Sequence, residues 1–249
     1  MKPATDTAKT SAPQWLLPGG MLLLSLLLVW CAQRSLRETD TISPDHVGMH
    51  YYLGKYQRLT GRTEQAVENL RRALANDWGS FQTHTELGNA LIRLGRSEEA
   101  VASFQNALQL EPNHAEAHCG LGSIHYFKGE LAEAVKHYSK ALEKEPREVS
   151  ALNNLAWIQS TSEDEAVRNG QEAVVLAERA VEVTEGKNPH IIMTLAAAYA
   201  EAGRFAEAVA AAERCIALAR ESGNENLAAA IGEQRDLYQK GQPLRAATP

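Results

Sequence analysis

The feature that most limits how this chain can fold is a period of 34 residues running through its middle. Leu53-Gly54, Leu87-Gly88 and Leu121-Gly122 recur at that spacing, and so do His50, His84 and His118 just ahead of them. Gly61, Gly95 and Gly129 follow in the same register, then Ala66, Ala100 and Ala134, then Ala73, Ala107 and Ala141. A fixed period of this length marks an architecture of short units stacked on one another. Aromatic residues make up only 6% of the chain, and stretches rich in Ala, Leu, Glu and Arg dominate after residue 60, which favours helices over sheets. Each unit therefore predicts two amphipathic helices joined at its central glycine. Pro112 and Pro146 end the second helix before the next unit begins.

These columns resemble the tetratricopeptide repeat. In the second unit they read Leu87, Gly88, Gly95, Ala100, Phe104, Ala107 and Pro112; in the third, Leu121, Gly122, Gly129, Ala134, Tyr138, Ala141 and Pro146. The first unit (47–80) has Leu70 in the aromatic column and Trp78 in place of the proline. Units two and three span 81–114 and 115–148. A fourth (149–188) carries an insertion within 160–169, and its second helix is expected to restart at Asn169, with Glu172 completing a capping box. A fifth (189–222) contains Leu195–Val209, which is similar to bacterial members of the family. Residues 223–249 read as a capping helix and tail, with Leu227, Ile231, Leu237 and Tyr238 on the buried side. The resemblance implies an all-α fold: a right-handed α-solenoid of about five helix pairs plus a C-terminal capping helix.

The N-terminal region follows different rules. Residues 1–14 read as a disordered tail and 33–46 as a linker. Between them, Trp15–Ala32 carries no charge, and Leu16–Ala32 as a helix would span about 26 Å, near the lower limit for crossing a membrane. Trp15 and Trp30 sit near the two ends, where amphipathic rings favour the interface. A cleaved signal peptide is the rival reading, but Trp30 occupies positions where cleavage needs a small residue. The expectation is a single-pass anchor at 15–32 preceding the solenoid, with the large body on the extracytoplasmic side.

Several functions find no support. Residues 1–46 hold four basic and four acidic side chains, so the whole net charge of −6 lies in the body, which argues against a nucleic-acid partner. Cys31, Cys119 and Cys215 form no CxxC pair. His114, His118 and His125 invite a zinc reading, but the register accounts for them as packing residues: His50, His84 and His118 fill a column that is usually Trp in the family. No HExxH, GxSxG, Walker or dinucleotide-binding pattern is present. The reading carries no catalytic residues, no metal, no cofactor and no small-molecule substrate.

The resemblance instead implies a concave groove lined by the first helix of each unit. Mapped onto this chain, its inward positions include Tyr51, Lys55 and Arg58 in unit one, Asn89 in unit two with Arg93 beside it, Tyr126 in unit three, and Asn153 and Trp157 in unit four. Amides suit a client's backbone, and aromatics and arginines suit its side chains. The clamp that some members use for acidic chaperone tails is missing, because its positions hold Tyr51, Lys55, Glu86, Glu116 and Gly120. The expected function is a membrane-anchored interaction scaffold or assembly factor for a protein or peptide client. Alternatives implied by the family are a module attached to a membrane enzyme such as a glycosyltransferase, and a client escort of the envelope or cytochrome c maturation type.

Overall fold

The computed structural model describes residues 45–76 and 79–246. The proposed tail, anchor and most of the linker lie outside these residues. Among the described residues there are eleven α-helices and no strand, and no helix is long and apolar enough to cross a membrane. The helices are α1 (Asp45–Leu59), α2 (Thr63–Ala75), α3 (Phe81–Arg93), α4 (Ser97–Leu110), α5 (Ala115–Phe127), α6 (Leu131–Lys144), α7 (Val149–Thr161), α8 (Gly170–Val183), α9 (Pro189–Glu201), α10 (Phe205–Glu221) and α11 (Glu225–Gln239).

Each helix packs on its neighbours in the chain, and the first helices of successive pairs also touch, α7 against α9 most extensively. This is the contact pattern of a solenoid, in which no pair buries its apolar stripe alone. The turns within pairs follow from one device. At Gly95 the backbone adopts φ 71°, which only glycine enters without strain. That geometry lets Arg96 N–H reach back to Leu91 O at 2.9 Å, closing the end of α3. The same reach joins Arg62 to Gln57, Glu130 to His125 and Arg204 to Tyr199.

The two helices of a pair are held at close range by a size exchange. A Cβ on Gly88 would lie 2.7 Å from the Phe104 ring, and one on Gly120 would lie closer still. Phe104 is thus clasped between its own pair's α3 and the next pair's α5, and it is fully buried. Gly122 approaches Tyr138 in the same way, and Gly54 approaches Leu70. In the fourth and fifth pairs, alanines replace both partners: Ala156 with Ala177, and Ala196 with Ala212, all buried.

The fourth pair lacks the glycine turn. After α7, Ser162 is extended (ψ 142°), and the chain loops to Asn169, whose N–H donates to Gln159 O at 2.9 Å. Asn169 caps α8, with Oδ1 accepting from Glu172 N–H at 3.2 Å and Nδ2 donating to the Glu172 carboxylate at 3.1 Å. At the C-terminus, α11 buries Ala228, Ile231 and Tyr238 against α10. Leu227 and Leu237, expected on the buried side, are only partly covered there.

Candidate functional site: the inner-helix cleft

The first helices of pairs one to four line an open cleft of about 600 Å³. Of the eight groove residues expected from the sequence, Arg58, Asn89 and Arg93 line it. The same cleft holds Glu116, Ser123, Glu145, Glu148 and Ser150, so cations, carboxylates and hydroxyls share one concavity. Tyr51, Lys55, Tyr126, Asn153 and Trp157 lie outside its lining. Ser123 and Tyr126 are nevertheless one turn apart on α5, and Ser150 and Asn153 one turn apart on α7.

The cations of the first unit are already engaged. Glu86 is almost completely buried and accepts from Arg58 Nε at 2.6 Å and from Lys55 Nζ at 3.2 Å. The Glu86 carboxylate holds the Lys55 ammonium above its ordinary range. Tyr51 is half-buried and stacks edge-on to Tyr52 at 5.1 Å, and burial raises its phenol. Asn89 donates to Glu116 Oε1 at 2.7 Å. Arg93 is exposed and makes no ion pair among the described residues.

A second cluster sits on α5, α6 and α7. Trp157 Nε1–H donates to the Tyr126 hydroxyl at 3.2 Å, joining two expected groove residues directly. Buried Tyr138 bridges Ser123 Oγ at 3.0 Å and Asn154 Nδ2 at 3.1 Å. Asn154 in turn accepts from Asn153 Nδ2 at 3.3 Å, and Asn153 Oδ1 is buried with no partner among the described residues. A buried amide oxygen left unpaired costs free energy until something donates to it. That oxygen is closed off from the surface, so it lies inside the helix packing rather than on the cleft wall.

The sulfur and imidazole groups carry no evident chemistry. Burial pushes the Cys119 thiol up to about 12 and the Cys215 thiol up to about 11, the opposite of activation. Among the described residues no three His, Cys, Asp or Glu side chains are placed to hold a metal ion. His50 hydrogen-bonds Asn69 at 2.9 Å and His118 hydrogen-bonds His137 at 3.0 Å, both across the two helices of a pair.

Sequence reasoning named Glu86 only as a reason for rejecting a clamp, and Glu116 for that reason and as an inward position of unit three. Their role as partners of the groove cations and amide had a signal in the period. Side chains on neighbouring first helices meet at separations of 28, 27 and 31 residues, roughly one to two helical turns short of the repeat.

A stack of helix pairs with a polar inner cleft defines an α-solenoid of the protein-interaction class. Residues 85–148 and 121–159 match one tetratricopeptide-repeat family, and residues 190–222 match a second family of the same repeat. The chain thus carries tetratricopeptide repeats over residues 85–159 and 190–222. No curated protein matches it. Among solved structures it is similar to PilF of Pseudomonas aeruginosa, at 18% identity over 79% of this chain and 92% of that one, with a TM-score of 0.59. TTC0263, a thermophilic TPR protein of Thermus thermophilus, is similar at 18% identity over 75% and 97%, TM-score 0.57. The MamA protein is similar at 18% identity over 73% and 96%, TM-score 0.55. At these identities the likeness is one of fold.

Proposed function

We propose that the chain is a membrane-held interaction scaffold or assembly factor, without catalysis of its own, that takes an extended protein or peptide client along its inner helices. The observation that carries this reading is the composition of the cleft. Among the described residues Arg93 is an unpaired cation there, and carboxylates and the hydroxyls of Ser123 and Ser150 stand on the same walls. Such a surface can hold a backbone and read side chains together. Trp157 and Tyr126 extend it with rings of the kind that concentrate binding energy. The uncharged Trp15–Ala32 segment supports the anchor, which would raise the local concentration of the groove near membrane clients. The enzyme-module and client-escort readings use the same groove and differ only in the client.

The test is made on the full chain in native membranes, with a photo-crosslinking residue at cleft-lining Phe127 and, as a control, at outer-face Gln105. Crosslinks from position 127 alone identify the client. Arg93→Ala and Trp157→Ala should each weaken its capture, Trp157→Ala by about 2 kcal/mol. Arg93→Ala should leave the unfolding midpoint unchanged. The N-terminus should be intact and resist alkaline extraction. Equal crosslinking from both faces, or full capture by both variants, would remove the groove from the proposal.

A further inference from the structure

The five-residue insertion of the fourth unit does something the other units cannot. In the other pairs a glycine turn closes the end of the first helix on itself. At α7 the extended Ser162 leaves the Thr161 carbonyl open, and the chain's own C-terminal tail takes it. Ala246 N–H donates to Thr161 O at 2.9 Å, and Ala246 pairs with Ser162 in a parallel bridge. Beside it, Arg245 Nη1 binds Glu201 Oε2 at 2.6 Å, at the last residue of α9. Leu244 packs into the apolar cluster that contains Tyr199, Phe205 and Leu237.

The receiving surface also has contacts of its own that do not involve the tail. The other oxygen of Glu201 is held by Arg168 Nε at 3.1 Å, and both side chains are largely buried, at 12% and 15% exposure. Arg168 is itself fixed by the carbonyls of Ser162 at 3.1 Å and Glu163 at 2.9 Å, and by Glu165 Oε1 at 2.9 Å. Glu163, Asp164 and Glu165 are exposed in the same loop, and Glu165 shares Arg168 with Glu201, the carboxylate on which the tail's arginine docks. An open backbone edge, a preformed carboxylate and an apolar seat are the parts of a site that adds an extended strand and reads one side chain.

We propose that this surface, distinct from the inner cleft, is a second peptide-binding site, and that it selects an extended segment with an arginine between an apolar and a small residue. Residues 244–246 occupy it in cis. A tethered tail acts at an effective concentration on the order of millimolar, so it holds the site closed against weaker partners. A partner segment with the same pattern opens it by replacing Leu244, Arg245 and Ala246. The inner cleft is untouched by this exchange, so the two sites stand or fall separately.

The experiment uses the full chain and a fluorescent peptide with the sequence of residues 240–249, read by anisotropy. Arg245→Ala with Ala246→Pro releases the tail by removing the guanidinium and the N–H donor. A second variant replaces 243–249 by a Gly/Ser run of equal length, should the first perturb folding. The released chains should bind the peptide at least about tenfold more tightly than the unaltered chain. Adding Glu201→Gln should remove that gain, and a peptide with alanine in place of its arginine should fail to compete. Equal affinity for the unaltered and released chains, or no binding to either released chain up to about 1 mM, would overturn the proposal.

Discussion

A neutral imidazole is what the α5–α6 interface can accommodate at His137. His118 Nε2 lies 3.2 Å from the Pro112 carbonyl and must donate to it, so the Nδ1 of neutral His118 accepts. His137 Nδ1 must then carry the proton that spans their 3.0 Å contact. His125 stacks on His137 with ring centroids 5.3 Å apart, and its Nδ1 pairs with Glu130 at 2.5 Å. Burial, then the charges His118 and His125 would carry, then Lys140, push His137 down to about 4, with Glu133 opposing weakly. Burial lowers His118 as well. The unfolded chain therefore takes up protons between the ordinary imidazole value of 6.5 and about 4 that the folded chain refuses. Stability contributed by these groups is complete above that window and is lost as pH falls through it. The urea midpoint should drop from about pH 7 to about pH 4, and His137→Phe should flatten that slope. A second outcome at this scale concerns Gly120. Gly120→Ala should cost about 1–3 kcal/mol through its clash with Phe104, and less in a Phe104→Leu background, as chemical unfolding of the four chains would measure. Gly88 was legible in the sequence as part of a column, but its pairing with Phe104, and the role of Gly120, needed the helices in place.

At the scale of the element, periodicity and punctuation went far. The helix ends at Leu110 and Lys144 fall just before Pro112 and Pro146, and Asn169 caps α8 as its spacing with Glu172 required. The capping helix was legible as a helix, but its buried side was less so. Placing Leu227 and Leu237 inside followed their apolarity, whereas the rotation of α11 buries Ala228 and Ile231 and leaves those leucines half covered. A small residue at a contact lets a helix approach closely, and sequence polarity does not report that rotation. Ile231 is completely buried in the terminal cluster. Ile231→Ala should therefore destabilise the C-terminal pair by about 2–4 kcal/mol, visible as a lowered unfolding midpoint with the peptide contacts of the inner cleft intact. The tail was illegible for a different reason. One backbone bond, one arginine and one leucine hold it, and none of these stands out from a polar terminus until α7, α9 and the insertion are assembled around it.

At the scale of the whole molecule, a linear stack of repeats has stability that is nearly a sum over neighbours, so it opens most easily from its ends. The two ends of this stack are not equivalent. Because Ala246 is fastened to Thr161 and Arg245 to Glu201, the segment from α7 to α11 is closed into a ring by non-covalent contacts. Releasing α11 then requires breaking contacts on a helix four elements earlier, so the last pairs should open as one unit. Among the described residues the first pair has no comparable fastener: its ion pairs, Glu86 with Lys55 and Arg58 and Glu99 with Arg71, reach only the adjacent pair. Amide exchange should accordingly be fastest in α1 and α2 and slow as a block from α7 onward, with Arg245→Ala moving α11 toward the fast group. Unravelling would thus have a direction, running from the N-terminal pair toward a C-terminal half that lets go all at once.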